Sequence, residues 1–180
     1  MAVQKSGSEL KERSGKITMK GNPLTLLGPE LKIGDTAPDV VLINNDLEPV
    51  SLSSYQGKIC IISSVPSLDT PVCDMETRRF NEEAGALGDD VAIVTVSMDL
   101  PFAQKRWCGA AGVDKVITLS DYGDMSFGRA YGVLIKELKL LARSVFVLDR
   151  KGVIQYIQLV NEVADEPAYQ EILDAVEALT

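Results

Sequence analysis

The sequence predicts an α/β fold, a central mixed β-sheet flanked by helices and preceded by a β-hairpin, and three observations carry that prediction. Residues 58–64 (KICIISS) and 91–98 (VAIVTVSM) are β-branched apolar runs of the kind found in strands covered on both faces. Between them, Val72, Met75, Phe80 and Leu87 lie among good helix formers, which makes a strand-helix-strand unit. Further on, alternation stops: residues 144–148 and 153–160 are strand-like and separated only by Asp149-Arg150-Lys151-Gly152, a turn that joins neighbouring strands as an antiparallel hairpin.

The remaining elements follow in order. Residues 1–16 are polar, carry Gly7 and Gly15, show no sustained apolar period and read as a mobile arm outside one domain that spans 17–180. Short apolar runs at 17–19 and 24–27 flank Lys20-Gly21-Asn22-Pro23 as a hairpin, which Gly28-Pro29 ends; residues 40–43 form a short strand. The helix after residue 64 has Pro71 suited to its first position and Asp69 or Thr70 to its cap. A second helix is expected over 101–111, a strand over 116–119 and a shorter helix over 125–131. In the closing helix Tyr169, Ile172, Leu173 and Val176 recur at i, i+3, i+4 and i+7, a stripe that has to cover a sheet face. This order of elements is consistent with a thioredoxin-like fold carrying an N-terminal hairpin extension.

Composition narrows the function. With 18 Lys+Arg against 26 Asp+Glu the net charge is 18 − 26 = −8, which disfavours nucleic acid as a partner. The absence of histidine excludes Ser-His-Asp and Cys-His nucleophile systems, His-ligated zinc enzymes and an imidazole base. No apolar run approaches the roughly 18 residues of a membrane span, and residues 1–16 lack the apolar core of a signal peptide, so the expected location is the cytoplasm. A chain of 180 residues needs no staples to build a core, and three cysteines are too few and odd in number for a disulfide framework. Thiol chemistry in a reducing compartment is the alternative. No glycine-rich phosphate motif and no C-x-x-C is present.

Cys73 follows Pro66-Ser67-Leu68-Asp69-Thr70-Pro71-Val72 just after a central strand, in the first turn of the next helix. Unpaired N–H groups and the partial positive charge of a helix start favour a thiolate there, and strand-to-helix junctions at the carboxyl end of such sheets are where ligands bind. Two readings stand side by side, a nucleophile and a small buried hydrophobe. Cys60 lies inside an apolar strand, where burial keeps a thiol inert. Asp89-Asp90 and Glu82-Glu83 read as solvated charge, Asp165-Glu166 as the start of the last helix, and Trp107 and Tyr131 as core.

Pro66-x-x-x-Thr70-x-x-Cys73 resembles the active-site signature of the peroxiredoxins. Residues 99–109 (DLPFAQKRWCG) are similar to the second-cysteine segment of the bacterial thiol peroxidases within that group, and Lys20-Gly21-Asn22-Pro23, residues 116–120, 130–133 and 143–149 match further. The resemblance covers residues 19–179. It implies that Cys73 attacks the O–O bond of hydrogen peroxide or an organic hydroperoxide and becomes a sulfenic acid. It implies that Cys108 resolves that acid as an intramolecular disulfide, where the residues alone also allow a packing role. By the same resemblance Thr70 turns its hydroxyl toward sulfur and peroxide, Pro66 shields the site, and Arg143 stabilises the thiolate and the leaving oxygen. No metal or organic cofactor is implied; the implied partners are thioredoxin, as reductant, and a second copy in a homodimer. A general disulfide oxidoreductase on this fold is disfavoured by the missing C-x-x-C and by the lack of proline at 141–144. A redox-sensing module whose Cys73/Cys108 disulfide switches a partner surface uses the same two sulfurs and is separated only by turnover.

Overall fold

From Glu12 the chain pairs with itself as a hairpin, β1 (Glu12–Met19) against β2 (Asn22–Leu27), in a computed structural model that describes residues 9–180, the side chains of 84 and 85 excepted. Strand β1 thus starts inside the segment expected to be an arm; residues 1–8 of that arm lie outside the described residues. The reason is that Glu12, Arg13 and Ser14 pair through backbone rather than through an apolar face, with the register shifting between Ser14 and Ile17. The Arg13 guanidinium donates to the Gly132 carbonyl at 3.0 Å and holds this end of the strand in place. At the turn, Lys20 and Gly21 both have positive φ, 49° and 77°, as a two-residue hairpin turn of the primed kind requires.

Strand β3 (Val41–Ile43) and β4 (Pro49–Ser51) form a second hairpin that leads through a 3-10 turn at Leu52–Tyr55 into β5 (Ile59–Ser64). Then come α1 (Pro71–Leu87), β6 (Val91–Ser97), α2 (Pro101–Ala111), β7 (Ile117–Ser120) and α3 (Ser126–Tyr131). The chain closes with β8 (Leu134–Ile135), β9 (Ser144–Leu148), β10 (Ile154–Leu159) and α4 (Tyr169–Glu177). The main sheet has the order β10-β9-β5-β6-β7-β3-β4; β5, β6 and β7 run parallel, and β9 and β10 join antiparallel as the Asp149–Gly152 turn demands. Neither β4 nor β8 is legible beforehand, since two or three residues carry no period; β8 extends the N-terminal hairpin by pairing with β2.

Strand alternation splits the core. Ile62, Val94 and Phe146 point to one face with Phe127 and Tyr131 of α3. Ile61, Ile93 and Val147 point to the other, under Phe80 of α1 and Ile172 and Val176 of α4. Each such buried side chain contributes about 1.5–3 kcal/mol, which is why the two covered strands sit centrally. Phe80 and Tyr169 meet edge to face at 5.5 Å and lock α1 to α4. Helix α1 is thereby fixed with its first turn at the carboxyl ends of β5 and β6, the crevice position of open α/β sheets.

Candidate active site

The loop from Val65 to Thr70 leaves β5 and delivers the chain into α1. Pro71 takes the first helical position, where its missing N–H costs nothing. Thr70 is the cap residue by backbone conformation, but no side chain caps the helix: the Thr70 hydroxyl donates to the Ser67 carbonyl at 2.8 Å instead of accepting from the first turn. Asp99, at the end of β6, holds the loop, accepting from the Leu68 N–H at 2.8 Å and from the hydroxyls of Ser67 and Ser97 at 2.7 Å each. Cys73 is the third residue of α1 and is fully buried beside Val65 and Leu68, with Trp107 of α2 packed over them.

Arg143, immediately before β9, is also buried and uses each arm of its guanidinium. Nη2 donates to Cys73 Sγ at 3.1 Å, Nη1 to Glu76 Oε2 at 2.5 Å and Nε to the Val163 carbonyl at 3.1 Å. The other oxygen of Glu76 accepts from the Ser63 hydroxyl at 2.7 Å. Burial pushes the Glu76 carboxyl above its ordinary range, against the pull of Arg143 and Ser63. Burial also opposes the Arg143 charge, but Glu76 and Cys73 outweigh it and the guanidinium is held protonated. The Val163 carbonyl is placed by the N-terminal hairpin: the Val163 N–H donates to the Thr18 carbonyl at 2.9 Å. Glu162, next to it, takes the Thr18 hydroxyl and the Lys20 and Gly21 N–H groups, which pull its carboxyl down to about 2.

Chemically, the arrangement holds a buried sulfur against a fixed positive charge, with a buried carboxyl group holding that charge in place. Cys73 and Arg143 meet, and Pro66 is buried in the same loop. Thr70 borders a groove of about 290 Å³ lined by Leu68, Asp69, Thr70, Pro71, Asp74 and Trp107. Cys108 lies on α2, half-buried, with Sγ 3.4 Å from the Thr118 hydroxyl on β7. All three cysteines are free. Trp107, expected as core, is half-buried and donates to Asp74 at 2.8 Å, whereas Tyr131 is core.

Glu76, Ser63 and Asp99 are the residues that sequence reasoning missed. Glu76 had a signal: it stands three positions after Cys73 and so on the same face of α1. Cys60 is buried on β5, and burial pushes its thiol up to about 12. A Cys60→Ser variant is expected to lose about 1–3 kcal/mol of stability, from the buried hydroxyl, and to keep peroxide turnover within roughly twofold, since a thiol at that pKa is not a nucleophile at neutral pH. A urea titration beside a peroxide-consumption assay checks both, and a folded variant without turnover would contradict it.

Among the described residues no three of Cys, Asp and Glu converge in a way that could hold a metal ion, and no helix is long and apolar enough to cross a membrane. The Redoxin family model matches residues 32–173 of the chain. A thiol peroxidase of Bacillus subtilis is 58% identical over 164 residues, which is 91% of this chain and 98% of that protein. One of Listeria innocua is 54% identical over 160 residues, 89% of this chain and 96% of its own length. Among solved structures, a peroxiredoxin-like protein from Aquifex aeolicus superposes with a TM-score of 0.86 at 42% identity, covering 93% of this chain and 99% of that one. A thiol peroxidase from Chromobacterium violaceum, 18% identical, shares the fold at a TM-score of 0.81 over 90% of this chain and 95% of its own.

Proposed function

This chain belongs to the Redoxin family, among its thiol peroxidases, and on that premise we propose that it reduces hydrogen peroxide and organic hydroperoxides through Cys73 and Cys108 and is returned to the dithiol by thioredoxin. The observation that carries the assignment of Cys73 is the 3.1 Å contact between its sulfur and Arg143 at the start of α1. The Cys73 thiolate attacks the terminal oxygen of ROOH. An S–O bond forms, the O–O bond breaks, and RO⁻ leaves and takes up a proton as ROH, or as water when R is hydrogen. Arg143 stabilises the thiolate before the attack and the charge on the departing oxygen during it. The first-turn N–H groups of α1, left uncapped, add to the same field.

The Cys108 sulfur then attacks the Cys73 sulfenic sulfur, the S–S bond forms, and hydroxide leaves with the Cys108 proton as water. Thioredoxin's two thiols reduce this disulfide and become a disulfide themselves. Pro66 shields the sulfur, Thr70 orients the peroxide, and two copies of the chain act as a homodimer in the cytoplasm. Thr70 reaches the peroxide once its hydroxyl turns from the Ser67 carbonyl, a single side-chain rotation at an exposed residue.

One equivalent of hydrogen peroxide added to the reduced protein, followed by an alkylating quench and peptide mapping by mass spectrometry, tests the cycle. A Cys73–Cys108 link within one chain, with Cys60 still alkylated, is the expected product. A link from Cys73 to Cys60 or to another chain would overturn the assignment. Turnover at micromolar peroxide with thioredoxin as the donor separates the enzyme from a redox switch on the same two sulfurs, which would react once and stop.

A further inference from the structure

We infer that Asp74, Arg78 and Trp107 form a clip between α1 and α2 that sets how fast the two cysteines pair, an inference that rests on the roles proposed above for Cys73 and Cys108. Asp74 follows Cys73 in the chain and Trp107 precedes Cys108, so the neighbours of the two sulfurs are bonded to each other: the Trp107 Nε1–H donates to Asp74 Oδ1 at 2.8 Å. Arg78, one turn further along α1, donates from Nε to Asp74 Oδ2 at 2.7 Å and carries its guanidinium 5.8 Å from the Trp107 ring centroid. From Nη1 it donates at 3.0 Å to the carbonyl of Ala111, the last residue of α2. That carbonyl has no partner within its own helix, so Arg78 caps α2 from α1 and braces the clip from its middle.

The clip opposes disulfide formation for a geometric reason. A disulfide needs Cα atoms within roughly 7 Å and converging Cβ bonds. Here Cys73 is fully buried beneath Trp107, while the Cys108 sulfur faces Thr118 on β7. Residues 107–111 have to leave their place on α1 before Cys108 can attack the sulfenic sulfur, and every contact of the clip that crosses between the two helices breaks when they do. Arg78 and Asp74 are thus positioning residues: they hold the form in which Cys73 lies against Arg143 and lengthen the life of the sulfenic acid. A longer-lived sulfenic acid is more open to a second peroxide, which carries it to the sulfinic acid.

The test is rapid quenching after one equivalent of hydrogen peroxide, with sulfenic acid and disulfide counted separately by mass spectrometry. Arg78→Met keeps the aliphatic stem and the helix propensity but loses all three contacts. It is expected to form the Cys73–Cys108 disulfide roughly three- to tenfold faster than the wild type, a span typical of losing a few surface charge contacts, with the rate of sulfenic acid formation unchanged. Arg78→Lys falls between the two, and the fraction of Cys73 sulfinic acid at excess peroxide drops in the same order. Faster hydrogen exchange at residues 107–111 in Arg78→Met without faster disulfide formation would show a structural brace only and overturn the clip. So would a disulfide rate equal to or below the wild type's. If the wild type itself forms no Cys73–Cys108 link, the cysteine roles fall and the clip with them, an outcome read on the wild type alone.

Discussion

Replacing Cys73 by serine is expected to abolish peroxide consumption, by at least roughly 10⁴-fold, the scale of removing a covalent nucleophile. The size of the loss follows from the sulfur's surroundings. A serine hydroxyl stays protonated at neutral pH, so the Arg143 charge 3.1 Å away has no anion to stabilise and no high-lying sulfur lone pair meets the antibonding orbital of the O–O bond. The fold should survive: serine is nearly isosteric, its oxygen can accept from Arg143 Nη2, and the Arg143–Glu76 pair stays intact. Peroxide consumption at fixed thioredoxin, beside a far-ultraviolet circular dichroism spectrum, makes the measurement. Cys108 and Cys60 remain in this variant, and turnover above about one per cent of the wild type's would mean that one of them carries the first step. The burial of Cys60, with its thiol pushed up to about 12, and the placement of Cys108 against Thr118 argue against that outcome.

What could be read in the chain beforehand was local. Strands β5 and β6 declare themselves as unbroken β-branched runs because both their faces are covered, and α1 follows from Pro71 and the apolar spacing after it. Cys73 is legible for the same reason: a strand end, a proline and a helix start within eight residues fix its surroundings without distant help. Distant contacts are where the reading stops. Arg143 entered only through the family resemblance, and its pairing with Glu76 spans 67 positions that no periodicity links. Thr70 stands at the cap position as the sequence predicts, but its hydroxyl donates to the Ser67 carbonyl in the turn it closes and makes no bond to the first turn of α1. The start of β1 leaves no signal in the sequence because Glu12, Arg13 and Ser14 pair by backbone and Arg13 reaches across 119 positions, contacts that carry no apolar signature.

Arg143→Met should fail in two separable ways, in rate and in stability. The rate of Cys73 oxidation is expected to fall about 10²–10³-fold, the usual effect of deleting one preorganised charge at a developing anion. Stability should fall by about 3–5 kcal/mol, because Glu76 is left fully buried without its counter-charge. That second loss depends on pH with a definite sign. Burial already raises the Glu76 carboxyl above its ordinary range, and without Arg143 it rises further, so the folded variant binds a proton that the unfolded chain releases. Between the unfolded value of about 4.3 and the raised folded one, stability therefore increases as pH falls. Urea titrations at intervals from about pH 8 down to about pH 5 should show Arg143→Met closing much of its gap to the wild type. The double variant Arg143→Met/Glu76→Gln should be more stable than Arg143→Met at neutral pH and flat across that range, yet no faster with peroxide. If removing the carboxyl restored the rate as well, Arg143 would act on Cys73 through Glu76 and the packing around it. If the rate stays low while stability returns, the guanidinium acts on the sulfur directly, as the 3.1 Å contact implies.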